Sequence, residues 1–121
     1  MLFRSVTLPA GVTEIGNHAF YNCISLTGVT VPGSVTVIAS NVFQNCSNLE
    51  SVTIQEGVEE IGSYAFQSCR SLTSVSIPKS VRKIEAYAFR YCGLTSVDIP
   101  NHGTSIAAGA FDSGVTITYP D

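Results

Sequence analysis

Four cysteines are the residues of this sequence best suited to covalent or metal chemistry, and they recur at one interval. Cys23, Cys46, Cys69 and Cys92 follow one another every 23 residues. Structural zinc sites use paired Cys-x-x-Cys ligands in a tetrahedral arrangement, and a column of single cysteines does not supply them. A disulfide between neighbouring units is the other reading. We predict free thiols that pack in the core as small hydrophobic residues.

The histidines and carboxylates form no catalytic pattern. His18 and His102 are the two histidines, they occupy different positions of the repeat, and strand spacing places them about 20 Å apart. Paired inward carboxylates, a nucleophile-elbow sequence and a phosphate-binding glycine loop are not visible. We therefore predict that the chain is not an enzyme, with no catalytic residue, no metal ligand and no cofactor.

The interval between the cysteines is the period of a repeat that fills the chain. Units begin near residues 6, 29, 52, 75 and 97, and a closing strand is expected at 115–120. The middle unit, residues 52–74, reads VTIQEGVEEIGSYAFQSCRSLTS. The unit that begins at residue 75 is one residue shorter after its cysteine. Residues 1–121 are thus predicted to form a single repeat domain.

Each unit predicts a short strand followed by a short helix. In Val75-Ser76-Ile77 apolar residues alternate with a polar one, which is the period of a strand. Residues 63–69 predict one or two helical turns capped by Ser63. A period of roughly 20–29 residues is typical of leucine-rich-repeat solenoids. The predicted fold class is an α/β solenoid, a right-handed coil of about five 23-residue rungs, with parallel strands on one face and helical turns on the other.

A second column consists of phenylalanines, each following an alanine or a valine in the predicted helical turn. A residue that recurs on every rung at such a position is far more often part of the core than of a ligand site. The predicted spine comprises Phe20, Phe43, Phe66, Phe89 and Phe111.

Composition and charge exclude several classes of function. The net charge is −3 and charged residues make up 12% of the chain, without the basic stripe of a nucleic-acid-binding protein. No apolar run approaches the roughly 20 residues that span a bilayer. We predict neither nucleic-acid binding nor membrane insertion. Acidic residues one period before basic ones predict exposed ion pairs between rungs, namely Glu56 with Lys79, Glu59 with Arg82 and Glu60 with Lys83.

The outward positions of the strands form the predicted binding face. Because neighbouring side chains of a strand point to opposite sides, the residues between the inward valines and isoleucines face away from the core. They are mostly short hydroxyl side chains, which can hydrogen-bond to a protein or a glycan; the alternative is that they only keep an exposed sheet hydrated. The face comprises Ser5, Thr7, Thr30, Ser51, Thr53, Ser74, Ser76, Ser96 and Asp98.

A motif of the form I-G-x-x-A-F-x-x-C, followed by L-T-x-V-x-I-P, resembles the BspA-like subclass of leucine-rich repeats. It stands at residues 15–23 and again at residues 61–69, and the resemblance covers about the whole chain. The resemblance implies a non-enzymatic protein-binding scaffold. It also implies an adhesin-like module, extracellular or at the cell surface, that binds host or extracellular-matrix proteins through its strand face.

A structural role stays open beside the binding role. Solenoids need polar terminal units, yet Phe3, Val6 and Leu8 leave the first unit apolar. The chain would then be an oligomerising piece of a longer repeat array without a ligand of its own, and we expect homo-association through this unit or a missing upstream segment. The first residues lack a signal-peptide pattern, so a cytoplasmic location also stays open.

Overall fold

The computed structural model describes residues 5–120, which form a β-solenoid of about five turns. This part of the chain contains nine short strands, and all of their pairings are parallel. Equivalent positions of neighbouring repeats therefore lie on top of one another. The strands are β1 (Ser5–Thr7), β2 (Gly28–Val31), β3 (Val37–Ile38), β4 (Ser51–Ile54), β5 (Glu60–Ile61), β6 (Lys83–Ile84), β7 (Ser96–Asp98), β8 (Ser105–Ile106) and β9 (Thr116–Thr118).

One side of the coil, which we call the strand face, carries β1, β2 and β4 in that order. Val29 pairs with Val6 on one side and with Val52 on the other, so the inward valines stack in register. Along β4 the valine and the isoleucine are buried while the serine and the threonine are exposed. The predicted alternation of inward and outward positions is confirmed in this part of the sheet.

The fourth rung departs from the predicted strand pattern. Residues 74–77 form no strand, and in the described chain their strand pairing is a single parallel bridge between Ser76 and Thr53. The fifth rung continues with β7, which pairs with β9 and with no strand of the fourth rung among residues 5–120. The strand predicted for this rung is therefore wrong, and the strand face is interrupted between the fourth and fifth rungs.

A second sheet, in the order β3-β5-β6-β8, lies on another side of the coil and was not predicted from the sequence. Its strands have two residues each, and the isoleucines that end them pair in one column, Ile38, Ile61, Ile84 and Ile106. A strand of two residues is too short to show, in the sequence, an alternation of inward and outward side chains. The sheet exists because the isoleucines of successive rungs come into register.

The third side of the coil consists of tight turns and not of helices. Residues 5–120 contain no α-helix, so the predicted helical turns at 63–69 and the predicted cap at Ser63 are wrong. In each of the first four rungs two residues four positions apart have positive φ, as Asn41 and Asn45 do with φ of 64° each. A residue in the left-handed region does not continue a right-handed helix.

Main-chain hydrogen bonds between rungs take the place of helical ones on this side. The Phe43 N–H donates to the carbonyl of Ala65 at 2.8 Å, and the Asn45 N–H donates to Gln67 at 2.8 Å. The alternate N–H groups close turns within the rung, as Cys46 does with the carbonyl of Phe43 at 3.3 Å. The buried main chain is thus paired without a helix.

The phenylalanines form the predicted spine of the core. Rings of successive rungs stack at centroid distances of 5.3, 5.2, 5.1 and 5.1 Å, with interplanar angles of 10° or less. Four of the five rings are buried, and Phe20 on the first rung is partly exposed. The buried members are Phe43, Phe66, Phe89 and Phe111.

Two glycines allow the second and third rungs to approach each other after their strands. A Cβ on Gly33 would lie 1.9 Å from the carbonyl oxygen of Glu56, so a larger residue would force the rungs apart. Gly57 has a φ of 117°, a conformation that glycine adopts without the steric cost of a side chain.

Candidate functional site

The strand face brings the predicted binding residues of the first three rungs together. Thr30 lies between Thr7 and Thr53 in the register of the sheet, and Ser76 continues this row by its bridge to Thr53. All the members of the predicted face are exposed except Thr30, which is partly buried. The inward neighbours of Thr53 are 6% and 5% exposed, so the sheet backbone holds the hydroxyl groups on a packed support.

Ser96 and Asp98 lie on the other side of the interruption. A cleft of about 470 Å³ separates them from the fourth rung, and its walls include Ser74 and Ser76 on one side and Ser96 and Asp98 on the other. The predicted face is thus two patches with a cleft between them. The continuous row that the repeat predicted is not formed.

The strand face extends beyond the predicted residues at its C-terminal end. Thr116 pairs with Ser96, Thr118 pairs with Asp98, and both threonines are exposed. The Thr118 hydroxyl donates a hydrogen bond to a carboxylate oxygen of Asp98. The signal for these two residues was present, because Val115-Thr116-Ile117-Thr118 repeats the alternation of the earlier strands.

One of the three predicted ion pairs between rungs is formed. Arg82 Nη2 lies 3.1 Å from Glu59 Oε1. Glu56 does contact Lys79, but through a hydrogen bond from the main-chain N–H of Lys79 to Glu56 Oε2 at 3.2 Å and not through an ion pair. Lys83 Nζ lies 3.5 Å from Glu85 Oε2 and pairs with it instead of with Glu60. The lysine side chain is long and half exposed, so it can reach a carboxylate of its own rung as well as one on the preceding rung.

The side of the turns carries an aromatic surface that sequence reasoning missed. The rings of Tyr64 and Tyr87 stack at 5.3 Å, and the Arg90 guanidinium lies 5.0 Å from the centroid of Tyr87 and 4.5 Å from that of Tyr91. Tyrosine and arginine are enriched at the energetic centres of protein interfaces. Tyr91 is 48% exposed, and the other three side chains are partly buried against one another.

The cysteine column is structural, as predicted. All four cysteines are free; Cys23, Cys46 and Cys69 are buried and Cys92 is partly buried. The thiols of Cys46 and Cys69 donate to the carbonyls of Phe20 and Phe43 at 3.1 and 3.2 Å, and Cys92 makes the same contact one rung further on.

Burial sets the protonation of these thiols. Desolvation raises the pKa of Cys46 from its ordinary value of 9.0 to about 12, against a smaller lowering by a main-chain hydrogen bond. The same cause raises the pKa of Cys69 further. Thiolates, which nucleophilic catalysis and metal binding require, are therefore disfavoured at neutral pH.

Titratable residues do not cluster elsewhere in the part of the chain that the structure describes. There, no three His, Cys, Asp or Glu side chains are placed to hold a metal ion. His102 Nε2 lies 2.8 Å from the carbonyl oxygen of Pro120, and its ring contacts Tyr119 edge-on. His18 contacts Tyr21 on the turn side of the first rung. The two histidines therefore lie at different ends of the coil.

Among residues 5–120 no helix is long and apolar enough to cross a membrane.

The repeat matches a known family over almost its full length. The family model described as "BspA type Leucine rich repeat region" matches residues 2–118 in six copies. No curated protein matches the chain.

Solved structures of leucine-rich repeat proteins resemble the fold. A protein from Bacteroides ovatus ATCC 8483 is 29% identical with a TM-score of 0.84, and the match covers 97% of this chain and 33% of that one. A protein from Bacteroides capillosus ATCC 29799 is 33% identical with a TM-score of 0.64, covering 77% and 74%. The T. pallidum leucine rich repeat protein, at 21% identity and a TM-score of 0.69, shares the fold over 93% of this chain and 72% of its own. The chain spans one third of the length of the Bacteroides ovatus protein.

Proposed function

The chain belongs to the BspA-type leucine-rich-repeat family, and from this premise we propose that it is a non-enzymatic scaffold that binds another protein through its strand face. The observation that carries the proposal is the row of hydroxyl side chains on the parallel sheet, which is exposed at Thr7, Thr53 and Ser76 and partly buried at Thr30. Short hydroxyl side chains lose little conformational entropy when a partner orders them. Each one can both donate and accept a hydrogen bond.

The partner we propose is a host or extracellular-matrix protein, with the chain acting as an adhesin-like module at the cell surface. The family resemblance supports this choice of partner and location. The strand face supports it chemically, because the predicted set consists of serine and threonine hydroxyls with Asp98 as its one charged side chain. Recognition through such a surface relies on hydrogen bonds and shape, and it does not require an oppositely charged partner.

Binding to purified matrix proteins tests the proposal. We expect the chain to bind at least one of collagen, laminin and fibronectin in surface plasmon resonance. Thr53→Arg should weaken that binding by about tenfold or more, because a long charged side chain would stand in the middle of the flat face. Thr36→Arg is the matched control, since Thr36 is also an exposed threonine but lies next to the second sheet. No binding to any of the three, or equal loss with both variants, would contradict the proposal.

A second candidate function is assembly with another copy of the chain through the first rung. Val6 and Val12 are only partly buried there, whereas their equivalents one rung later, Val29 and Val35, are 4% and 0% exposed. Phe3, which the sequence analysis placed on the same surface, lies outside the described residues. Covering this apolar surface would stabilise a contact between copies.

A further inference from the structure

The turn side of the third and fourth rungs carries a group of side chains that we call the arginine–tyrosine cluster. Its members are Tyr64, Tyr87, Arg90 and Tyr91. The Arg90 guanidinium lies over two rings, 5.0 Å from the centroid of Tyr87 and 4.5 Å from that of Tyr91. Both distances fall within the range, up to about 6 Å, over which an aromatic ring attracts a cation. The cluster therefore holds a positive charge at a defined place on the surface.

Main-chain hydrogen bonds fix the turn that carries the cluster. The Arg90 N–H donates to the carbonyl of Tyr87 at 3.2 Å, and the Arg90 carbonyl accepts from the Ser68 N–H at 2.8 Å. The Tyr91 N–H donates to both carboxylate oxygens of Asp112, at 3.1 and 3.0 Å. The main chain of the cluster is thus bonded to the rung before it and to the rung after it.

The ring of Tyr87 is held from both neighbouring rungs. It stacks on Tyr64 of the third rung at a centroid distance of 5.3 Å. The equivalent position of the fifth rung is Gly109, where an added Cβ would lie 2.6 Å from Cε1 of the Tyr87 ring. Any larger residue there would displace the ring. Tyr87 thus supports Arg90 without having to be ordered when a partner binds, which favours binding.

The guanidinium of Arg90 has unused hydrogen-bond donors. In the described chain Arg90 makes no side-chain hydrogen bond and no ion pair, whereas Arg82 pairs with Glu59 at 3.1 Å. The acidic residue at the equivalent position of the next rung is Asp112, and both of its oxygens accept a main-chain N–H instead. A guanidinium has five N–H donors in a planar fork that matches a carboxylate. The donors of Arg90 are thus available to an anionic group of another molecule.

Three members of the cluster have a main-chain conformation that suits tyrosine poorly. Tyr64, Tyr87 and Tyr91 have φ of 61°, 62° and 62°, in the left-handed region. The second rung has Asn41 and Asn45 at the corresponding positions, and asparagine adopts this conformation at a lower cost. The turn itself therefore does not require tyrosine. Strained conformations of this kind cluster at sites where ligands bind.

From these features we propose that the arginine–tyrosine cluster binds an exposed aspartate or glutamate side chain of a partner protein. The carboxylate accepts two hydrogen bonds from the Arg90 guanidinium, in the bidentate arrangement typical of this pair. The rings of Tyr87 and Tyr91 contact the apolar groups beside the carboxylate and exclude water from it. The cluster lies on the side of the turns, so the proposal is independent of the strand face.

A protein carboxylate fits the cluster better than a polyanion such as a sulfated glycan. Tyrosine and arginine are enriched at the energetic centres of protein interfaces. Sulfated glycans bind to patches of several basic residues. This chain has a net charge of −3, and the carboxylate of Asp112 lies next to the Tyr91 N–H. One guanidinium with an acidic neighbour complements a single carboxylate.

Binding is measured with a defined probe, the acetylated and amidated peptide Gly-Pro-Glu-Phe-Gly, which is added to the full chain and followed by nuclear magnetic resonance. We expect saturable shifts of the Arg90 Nε–H and of the Tyr91 amide. The same peptide with glutamine in place of glutamate should bind about tenfold more weakly or worse, because a charged acceptor makes the stronger hydrogen bond. No saturable shift at Arg90, or equal binding of the two peptides, would overturn the proposal.

Matched substitutions of arginine locate the site. Arg90→Gln should weaken binding of the probe by about tenfold or more, and Arg90→Lys, which keeps the charge but not the fork, by about threefold or more. Arg82→Gln removes the same charge beside the second sheet and should leave binding unchanged. Equal loss with Arg82→Gln would mean that overall charge attracts the probe, and it would contradict the cluster as the site.

The variant Tyr91→Asn separates a binding role from a structural one. It introduces the residue that the second rung has at this position, Asn45, which suits a φ of 62°. We expect the melting temperature to stay equal or to rise, while the probe binds about threefold or more weakly because one ring of the cluster is lost. A lower melting temperature with unchanged binding of the probe would give Tyr91 a structural role and contradict the proposal.

A heparin oligosaccharide tests the competing class of ligand. We expect it to cause no shift at the Arg90 Nε–H at the concentration at which the peptide saturates the site. A saturable shift with the oligosaccharide and none with the peptide would contradict the proposal in favour of a sulfated glycan.

Discussion

At the residue scale, the protein is held together by side chains that contact their own counterparts one rung away. Phenylalanine stacks on phenylalanine, and isoleucine pairs with isoleucine. Each cysteine from Cys46 onwards donates its thiol proton to a phenylalanine carbonyl of the preceding rung. A substitution in one of these columns is therefore felt by two neighbours as well as by its own rung.

The buried thiols make stability depend on pH in the alkaline range. Their folded-state pKa is raised by desolvation, from 9.0 to about 12 for Cys46, so the folded state favours the protonated form. The stabilisation is complete below pH 9.0 and is lost as the pH rises from there towards 12, by about 1.4 kcal/mol per pH unit for the thiol of Cys46. Urea unfolding followed across this range should show the decline.

The matched variant for this prediction is Cys46→Ala. It should be less stable at neutral pH, because it leaves a cavity and removes a hydrogen bond to Phe20. Its stability should then fall less steeply above pH 9.0, by one thiol's contribution. An unchanged slope would mean that the thiol of Cys46 does not titrate with unfolding.

At the element scale, both the tight turns and the strands contribute to closing each rung. In the turns, residues with positive φ reverse the chain. The N–H groups that do not bond within the turn donate to carbonyl groups of the next rung. Asparagine occupies three of the eight non-glycine positions of this kind in the described chain, in keeping with its tolerance of that conformation. The rest are Ser68, His18 and tyrosines, including Tyr64 and Tyr87, which stack on each other.

Substitution of Asn45 distinguishes these turns from the helix that the sequence pattern favours. With φ at 64°, Asn45→Ala should destabilise the protein by about 1–2 kcal/mol, while Asn45→Gly should be close to neutral. A helix would give the reverse order, because glycine there costs about 1 kcal/mol more than alanine. Thermal unfolding of the two variants decides between the orders.

At the scale of the whole molecule, neighbouring rungs of the coil are not all paired in the same way. The first three rungs share a continuous strand face, and the last strands form a separate pair, β7 with β9. The second sheet and the phenylalanine spine run across the interruption and hold the two parts together. A solenoid of this kind offers two surfaces for other molecules, its faces and its ends.

The exposed first rung predicts self-association at that end. We expect light scattering to show an average mass that rises with protein concentration. Val6→Glu should reduce the association, because it places a charge on the partly exposed apolar end, whereas Thr7→Glu, on the outward side of the same strand, should not. A monomer at every concentration would contradict the prediction, and an equal effect of Thr7→Glu would move the contact to the strand face.

Much of this architecture follows from the sequence because the repeat is nearly free of gaps. A side chain that recurs every 23 residues must stack on itself in any coil with one unit per turn. For this reason the burial of Phe66 and Cys69, the free thiols, and the outward position of Thr53 were predicted correctly.

Three features depended on the tertiary structure. The residues around Phe66 have an apolar pattern that also suits a helix, and only bonding to the next rung decides for turns. The second sheet consists of two-residue strands, which exist only through their pairing. The cleft arises where a connection with a single residue, Gly93, meets rungs that stay paired on their other two sides. The sequence shows which residues recur along the chain. Hydrogen bonding between neighbouring rungs depends on two segments at once, and this bonding determined the turns, the second sheet and the cleft.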